Sequence, residues 1–270
     1  MAEEVKKSRP APDPNSAKYK LGQIAAKAYS DAMEAKKRGE MVGWCSSNFP
    51  VEIPATLGLY VCYPENQAAG IAARGGGERL CSVSEGDGYS NDICAYARIS
   101  LAYAKLKEAP EQDMPMPDFL LCCNNICNCM IKWYENISKE LGIPMIMIDI
   151  PFNPDYEVSD AETEYIKAQF WDAIRQLEEI TGKKWTDERF MESSGRASRM
   201  WIEATFQARH VPSPFNGFDL LNHMAVMVTA RGTKEAGDAM ETLLKEYKDN
   251  HDKGVSTFRA EEKYRIMFEG

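Results

Sequence analysis

Eight of the 270 residues are cysteines: Cys45, Cys62, Cys81, Cys94, Cys122, Cys123, Cys127 and Cys129. All fall in the first 129 positions, and the rest of the chain has none. Thiols can pair as disulfides, bind metal or pack as small apolar groups. The amino-terminal stretch has no apolar signal segment, so a reducing compartment is expected and a disulfide framework is disfavoured. Free cysteine is among the most buried residue types, and isolated ones are read as core. The run Cys122-Cys123-Asn124-Asn125-Ile126-Cys127-Asn128-Cys129 is too dense for that reading to cover it all.

A zinc module needs two closely spaced ligand pairs. No CxxC occurs, and the three histidines, His210, His223 and His251, are not spaced as ligands beside the cysteines. The ligand runs of ferredoxins are also absent. Any metal would therefore take its ligands from separate elements joined by the fold.

A short internal echo is the most informative pattern. Asn91-Asp92-Ile93-Cys94 and Asn124-Asn125-Ile126-Cys127 lie 33 residues apart, each ahead of a helical pattern. With Asn91 and Asn124 as N-caps, Cys94 and Cys127 would sit at the third helical position. Unpaired N–H groups and the helix dipole favour anionic groups there, the thiolate a metal needs included. Two capped helices can also share four residues by coincidence, so the residues alone leave both readings open.

Other candidates are weaker. Gly75-Gly76-Gly77 lacks the following Lys and Ser/Thr of a phosphate loop and reads as a turn. Glu52 and Glu65 flank an expected strand and could face a cleft, although strand-end glutamates are commonly solvated. Arg196 and Arg199 lie one helical turn apart and could meet a phosphate, but a solvated helix face is the plainer reading. Trp133, Tyr134, Ile137 and Leu141 form an apolar stripe suited to core packing.

These residues need elements to hold them. The spacing predicts helices over 20–39, 92–108 and 126–141 and strands over 57–64, 119–123 and 144–150. That alternation implies βαβ units and a parallel sheet. Ser159-Asp160-Ala161-Glu162 is a capping box opening a helix to about Thr181, stopped by Gly182. Further helices are expected at 187–208, 217–230 and 234–250, with a strand at Tyr264–Phe268. The division is a lead and helix (1–40), an α/β domain carrying the cysteines (41–155), and a helical segment with the first strand of an incomplete second α/β domain (156–270). That last strand has nothing after it to cover it, so the chain is expected to be a fragment or a split-gene product.

Composition supplies 44% hydrophobic residues, enough for a sizeable core, and a formal net charge of −9. The charge argues against nucleic-acid binding and suits a cytoplasmic protein. No apolar run is long enough to span a bilayer.

Gly88-Tyr89-Ser90-Asn91-Asp92-Ile93-Cys94-Ala95-Tyr96-Ala97-Arg98, Asn124–Asn128 and Lys132-Trp133-Tyr134-Glu135 resemble the 2-hydroxyacyl-CoA dehydratase family, to which benzoyl-CoA reductase subunits are related. Pro54–Leu59, Tyr63-Pro64-Glu65-Asn66 and Ile148–Asn153 fit the same family. The resemblance implies Rossmann-like α/β domains with a [4Fe-4S] cluster held by three cysteines. Cys94 and Cys127 match two of these cluster and metal ligands. The third position would lie in the second domain, where this sequence has no cysteine. The implied reaction removes water from an (R)-2-hydroxyacyl-CoA to give the 2-enoyl-CoA through a ketyl radical. Its electron comes from an ATP-dependent iron–sulfur activator. The expected role is the beta subunit, an electron relay in a heterodimer with an alpha subunit and an acyl-CoA substrate. The alternatives are a subunit of an aryl-CoA reductase, or a truncated, non-catalytic partner that holds no cluster.

Overall fold

The computed structural model describes residues 13–125, 127–193, 195–258 and 261–266. Four short strands form its centre: β1 (Val42–Cys45), β2 (Tyr60–Cys62), β3 (Phe119–Cys123) and β4 (Met145–Ile148). They make one sheet in the order β2-β1-β3-β4, with every pairing parallel. A parallel sheet is covered on both faces, and β1 and β3 are buried along their whole length.

Strand alternation divides the side chains between two cores. Trp44, Leu120 and Cys122 join one layer with α3 (Pro64–Ala73), α5 (Ala95–Leu106) and α6 (Asn128–Leu141). Cys45, Phe119, Leu121, Ile146 and Ile148 face the other, packing on Ile53 of α2 (Glu52–Thr56) and on Ala173, Ile174 and Leu177 of α7 (Asp160–Thr181). Gly43 is dictated by this packing, because a Cβ there would run into the Phe119 ring.

The third core is helical. It joins α9 (Arg196–Phe206), α10 (Gly217–Thr229) and α11 (Lys234–Asp252) through Ala197, Ala204, Val226, Met240 and Leu243. The first helix, α1 (Ala17–Lys37), serves two cores: Ala17 and Leu21 enter the helical one, while Ala32 and Ala35 pack beside the sheet. This is the expected parallel-sheet α/β unit followed by helices.

Local signals account for several boundaries. Ser159 and Glu162 form the reciprocal capping box of α7, and Gly182 ends the helix in a left-handed conformation at φ 70°. The helix expected over 187–208 is divided into α8 (Asp187–Ser193) and α9, with Gly195 at φ 68° before the second piece. The expected strand at 57–64 shortens to β2, since Leu57 closes α2 and Gly58 turns the chain at φ 66°. Gly77 opens a helix, α4 (Gly77–Gly86), instead of extending the glycine turn. Residues 261–266 lie in neither helix nor strand, so the terminal strand is not formed over its described part. Met267 and Phe268 lie outside the described residues.

Candidate functional site

The strand order reverses at β1: the chain goes next to β2 on one side, then returns to β3 on the other. In open α/β sheets the crevice beyond the strand carboxyl ends at such a reversal holds the ligand. Here its walls are the loop after β1, Ser46–Pro50, and Asn124 and Asn125 after β3. The Asn48 side-chain amide donates to the Asn125 carbonyl across the gap. Ser46 is fully buried, and neither its Oγ nor the Asn48 Oδ1 finds a hydrogen-bond partner among the described residues. Orphaned polar atoms of this kind are uncommon in folded chains and ask for an explanation.

Glu65, in the first turn of α3, brings a carboxylate to this edge. The Ser47 backbone N–H donates to its Oε1 at 2.8 Å and the Ser47 hydroxyl at 3.2 Å. The Tyr134 hydroxyl donates to Oε2 at 3.1 Å. The residue keeps some solvent contact, yet burial of the carboxyl outweighs these donors and pushes its pKa above the usual range. Of the two glutamates picked out in the sequence, this one faces the crevice.

Glu52 is used differently. It pairs with Arg231 Nε at 3.4 Å. The same guanidinium donates to the Ser47 carbonyl at 3.3 Å and the Phe49 carbonyl at 3.1 Å. A residue from the helical part thus clamps the loop that holds Glu65. Arg196 bonds to Asp238 and Glu241, tying α9 to α11. At the β4 end, Asp149 accepts from the Asn124 amide and, at 2.6 Å, from the Tyr165 hydroxyl.

Cys94 and Cys127 are placed alike, but three residues earlier in their helices than expected: each is the N-cap itself, of α5 and α6. The asparagines are not caps. Asn124 is spent across the sheet edge, its Oδ1 accepting from the Ile150 N–H at 2.7 Å, and Asn91 lies in an exposed turn. The two helices pack against each other. Burial raises the Cys129 thiol, the Cys94 backbone N–H opposes that rise, and both the Cys127 and Cys94 sulfurs are felt there.

All eight cysteines are free thiols. Cys45, Cys62, Cys122 and Cys123 are core residues, and burial pushes the Cys122 thiol up to about 12. Among the described residues no group of three or more His, Cys, Asp or Glu side chains is arranged to hold a metal ion. The donor set therefore does not fit the [4Fe-4S] cluster expected from the resemblance, and it does not support the expected iron–sulfur electron-relay role. The loop after β1, Tyr134, Asp149 and Arg231 were missed in the sequence. The polar run Ser46-Ser47-Asn48 ahead of Pro50 was a signal for the loop, and Tyr134 and Asp149 lie within the stretches that resemble the family.

Comparison with known proteins is consistent along the chain. The family model described as 2-hydroxyglutaryl-CoA dehydratase, D-component, matches residues 46–270. The chain is 57% identical over 257 residues to the (R)-phenyllactyl-CoA dehydratase alpha subunit of Clostridium sporogenes, covering 94% of this chain and 63% of that protein. It is 50% identical over 258 residues to the (R)-2-hydroxyisocaproyl-CoA dehydratase alpha subunit of Clostridioides difficile, with 94% and 63% covered. The (R)-2-hydroxyglutaryl-CoA dehydratase subunit alpha of Acidaminococcus fermentans is 41% identical over 326 residues, with 93% and 68% covered. The chain thus spans about 63% of the length of the first two relatives. These relatives are alpha subunits, which overturns the beta-subunit expectation and with it the expected alpha-subunit partner. The chain belongs to the 2-hydroxyglutaryl-CoA dehydratase D-component family.

Proposed function

We propose that this chain acts as an alpha-type subunit of a 2-hydroxyacyl-CoA dehydratase, a hydro-lyase that works with a beta subunit and an activator. The identity of 41–57% to three alpha subunits carries the assignment. Those relatives are named for phenyllactyl, 2-hydroxyisocaproyl and 2-hydroxyglutaryl substrates, which share an (R)-2-hydroxyacyl thioester. The eight free thiols and the net charge of −9 suit the cytoplasm. Among the described residues no helix is long and apolar enough to cross a membrane.

Elimination of water takes a proton from the carbon beta to the thioester and releases the hydroxyl on the alpha carbon. A group exchanging protons with the substrate works best with a pKa near the working pH. Glu65 suits this role: its raised pKa makes the carboxylate a better acceptor and keeps its acid form available at higher pH. Ser47 and Tyr134 fix its two oxygens, so no reorganisation is needed as the proton moves. Arg231 holds the Ser47 loop in place from behind.

The test is turnover. The chain is purified anaerobically with a beta subunit, combined with the ATP-dependent activator, and given (R)-2-hydroxyacyl-CoA thioesters of several side chains. Formation of a 2-enoyl-CoA is expected. Failure with every side chain, using a beta subunit and activator active with their own alpha subunit, overturns the proposal.

A further inference from the structure

A cavity of about 560 Å³ opens beside the sheet edge, between α2, α7 and α8. That is well within the size range of small-molecule sites. Ile53, Ile166, Phe170, Trp171, Trp185 and Phe190 form most of its wall. The aromatic side is preassembled: Trp185 meets Trp171 edge-on at 6.0 Å and Phe190 at 5.1 Å. Trp185 is pinned further by its indole N–H, which donates to Asp187 at 3.0 Å, and by its backbone N–H, which donates to Glu178 at 2.9 Å. Trp171 remains 45% exposed over this space.

The charges in the wall are engaged elsewhere. Glu52 pairs with Arg231 at 3.4 Å, and Lys167 pairs with Glu164 at 3.2 Å. What faces the space is therefore apolar and aromatic, a surface that rewards a hydrocarbon or aryl group and penalises a charged one.

The cavity and the Glu65 crevice meet at Pro50, which lines the one and ends the loop that walls the other. Pro50 and Ile53 continue the loop from Ser47, whose N–H holds Glu65. Thr163 and Ile166 flank Tyr165, whose hydroxyl is bonded to Asp149 at the end of β4. A thioester held at the crevice would have this cavity as the adjoining apolar space.

We infer that the cavity between α2, α7 and α8 receives the apolar side chain of the acyl-CoA substrate, an aryl or branched-alkyl group rather than a carboxylate-bearing one. This rests on the dehydratase reading for the identity of the thioester, but its binding test does not require turnover. The probes are 3-phenylpropionyl-CoA, propionyl-CoA and glutaryl-CoA, titrated into the purified chain. The readout is the change in tryptophan emission, Trp171 and Trp185 being the two indoles at the cavity. The aryl thioester should change the emission saturably at a concentration at least about tenfold below that needed for the other two, the scale on which apolar pockets discriminate. Ile166→Glu, which puts a carboxylate in the wall, should remove that preference with the far-ultraviolet circular dichroism unchanged. Thr163→Glu serves if the first variant does not fold. Equal response to all three probes, no response, or a preference unmoved by the folded variant overturns the inference. Aryl preference without dehydration of any 2-hydroxyacyl-CoA would sink the dehydratase reading and leave the cavity assignment standing. Dehydration without the preference would do the reverse.

Discussion

Replacing Glu65 by Gln separates the proton from the shape. The glutamine oxygen can still accept from the Ser47 N–H, now at 2.8 Å to Oε1, and its NH₂ can face the Tyr134 oxygen at 3.1 Å. Two of the three contacts survive with neutral partners, so the stability change should stay within about 1 kcal/mol at neutral pH. Catalysis should suffer far more. Loss of a positioned proton carrier costs about 10²- to 10⁴-fold, equivalent to about 2.7–5.5 kcal/mol of barrier. The assay is kcat for enoyl-CoA formation by the complex with the beta subunit, beside a urea unfolding curve. The variant should lose at least about a hundredfold in kcat, with KM and the urea midpoint little changed. Stability against pH adds a second readout. A carboxyl whose pKa is raised in the fold stabilises the native state below its unfolded value, and that contribution is lost as pH rises through the folded value. Glu65→Gln should therefore remove a decline in stability above the usual carboxylate range. A variant with near-wild-type kcat would refute the proton-exchange role. An unchanged pH–stability curve would refute the buried-carboxyl reading.

Three further outcomes follow from the packing. Arg231→Met removes the donors to the Ser47 and Phe49 carbonyls and leaves Glu52 unpaired in a half-buried setting; a loss of about 2–4 kcal/mol is expected in urea unfolding, with kcat lowered too. Gly43→Ala drives a methyl into the Phe119 ring and should cost about 1–3 kcal/mol by thermal unfolding, partly recovered by Phe119→Leu; a neutral single variant would contradict the strand register. His223 is buried against Tyr247, and burial depresses its pKa to about 4, so it stays neutral in the fold. A depressed pKa gives stability that is present above the unfolded value and lost as pH falls to the folded one. About 3 kcal/mol should therefore disappear between pH 6.5 and 4, and His223→Gln should flatten that slope.

The readable parts of this chain were those where one local signal decides the backbone. Ser159 and Glu162 announced α7, and the Phe119–Cys123 run announced a buried parallel strand, because caps and continuous apolar runs act within a few residues. Val42–Cys45 was missed because four residues containing a glycine carry no period, yet this strand sits between two neighbours and sets the topological reversal. Its position is fixed by partners more than seventy residues away, such as Phe119 against Gly43. The site followed the same division. Cys94 and Cys127 were visible as a pair of helix starts, and each does open a helix, α5 and α6. Their capping position was misjudged because Asn124 bonds across the sheet instead of along its own helix. Glu65 was visible as a strand-end carboxylate within a stretch that resembles the family. What distinguishes it from Glu52 comes from Ser47, Tyr134 and Arg231, brought in from three other parts of the chain.

The choice of subunit partner tests the central claim most directly. Tagged chain is mixed anaerobically with equal amounts of the isolated alpha and beta subunits of a related dehydratase, and the captured complex is identified by mass spectrometry. An alpha-type subunit predicts stoichiometric recovery of the beta subunit and little of the alpha. Recovery of the alpha subunit in its place would contradict the account.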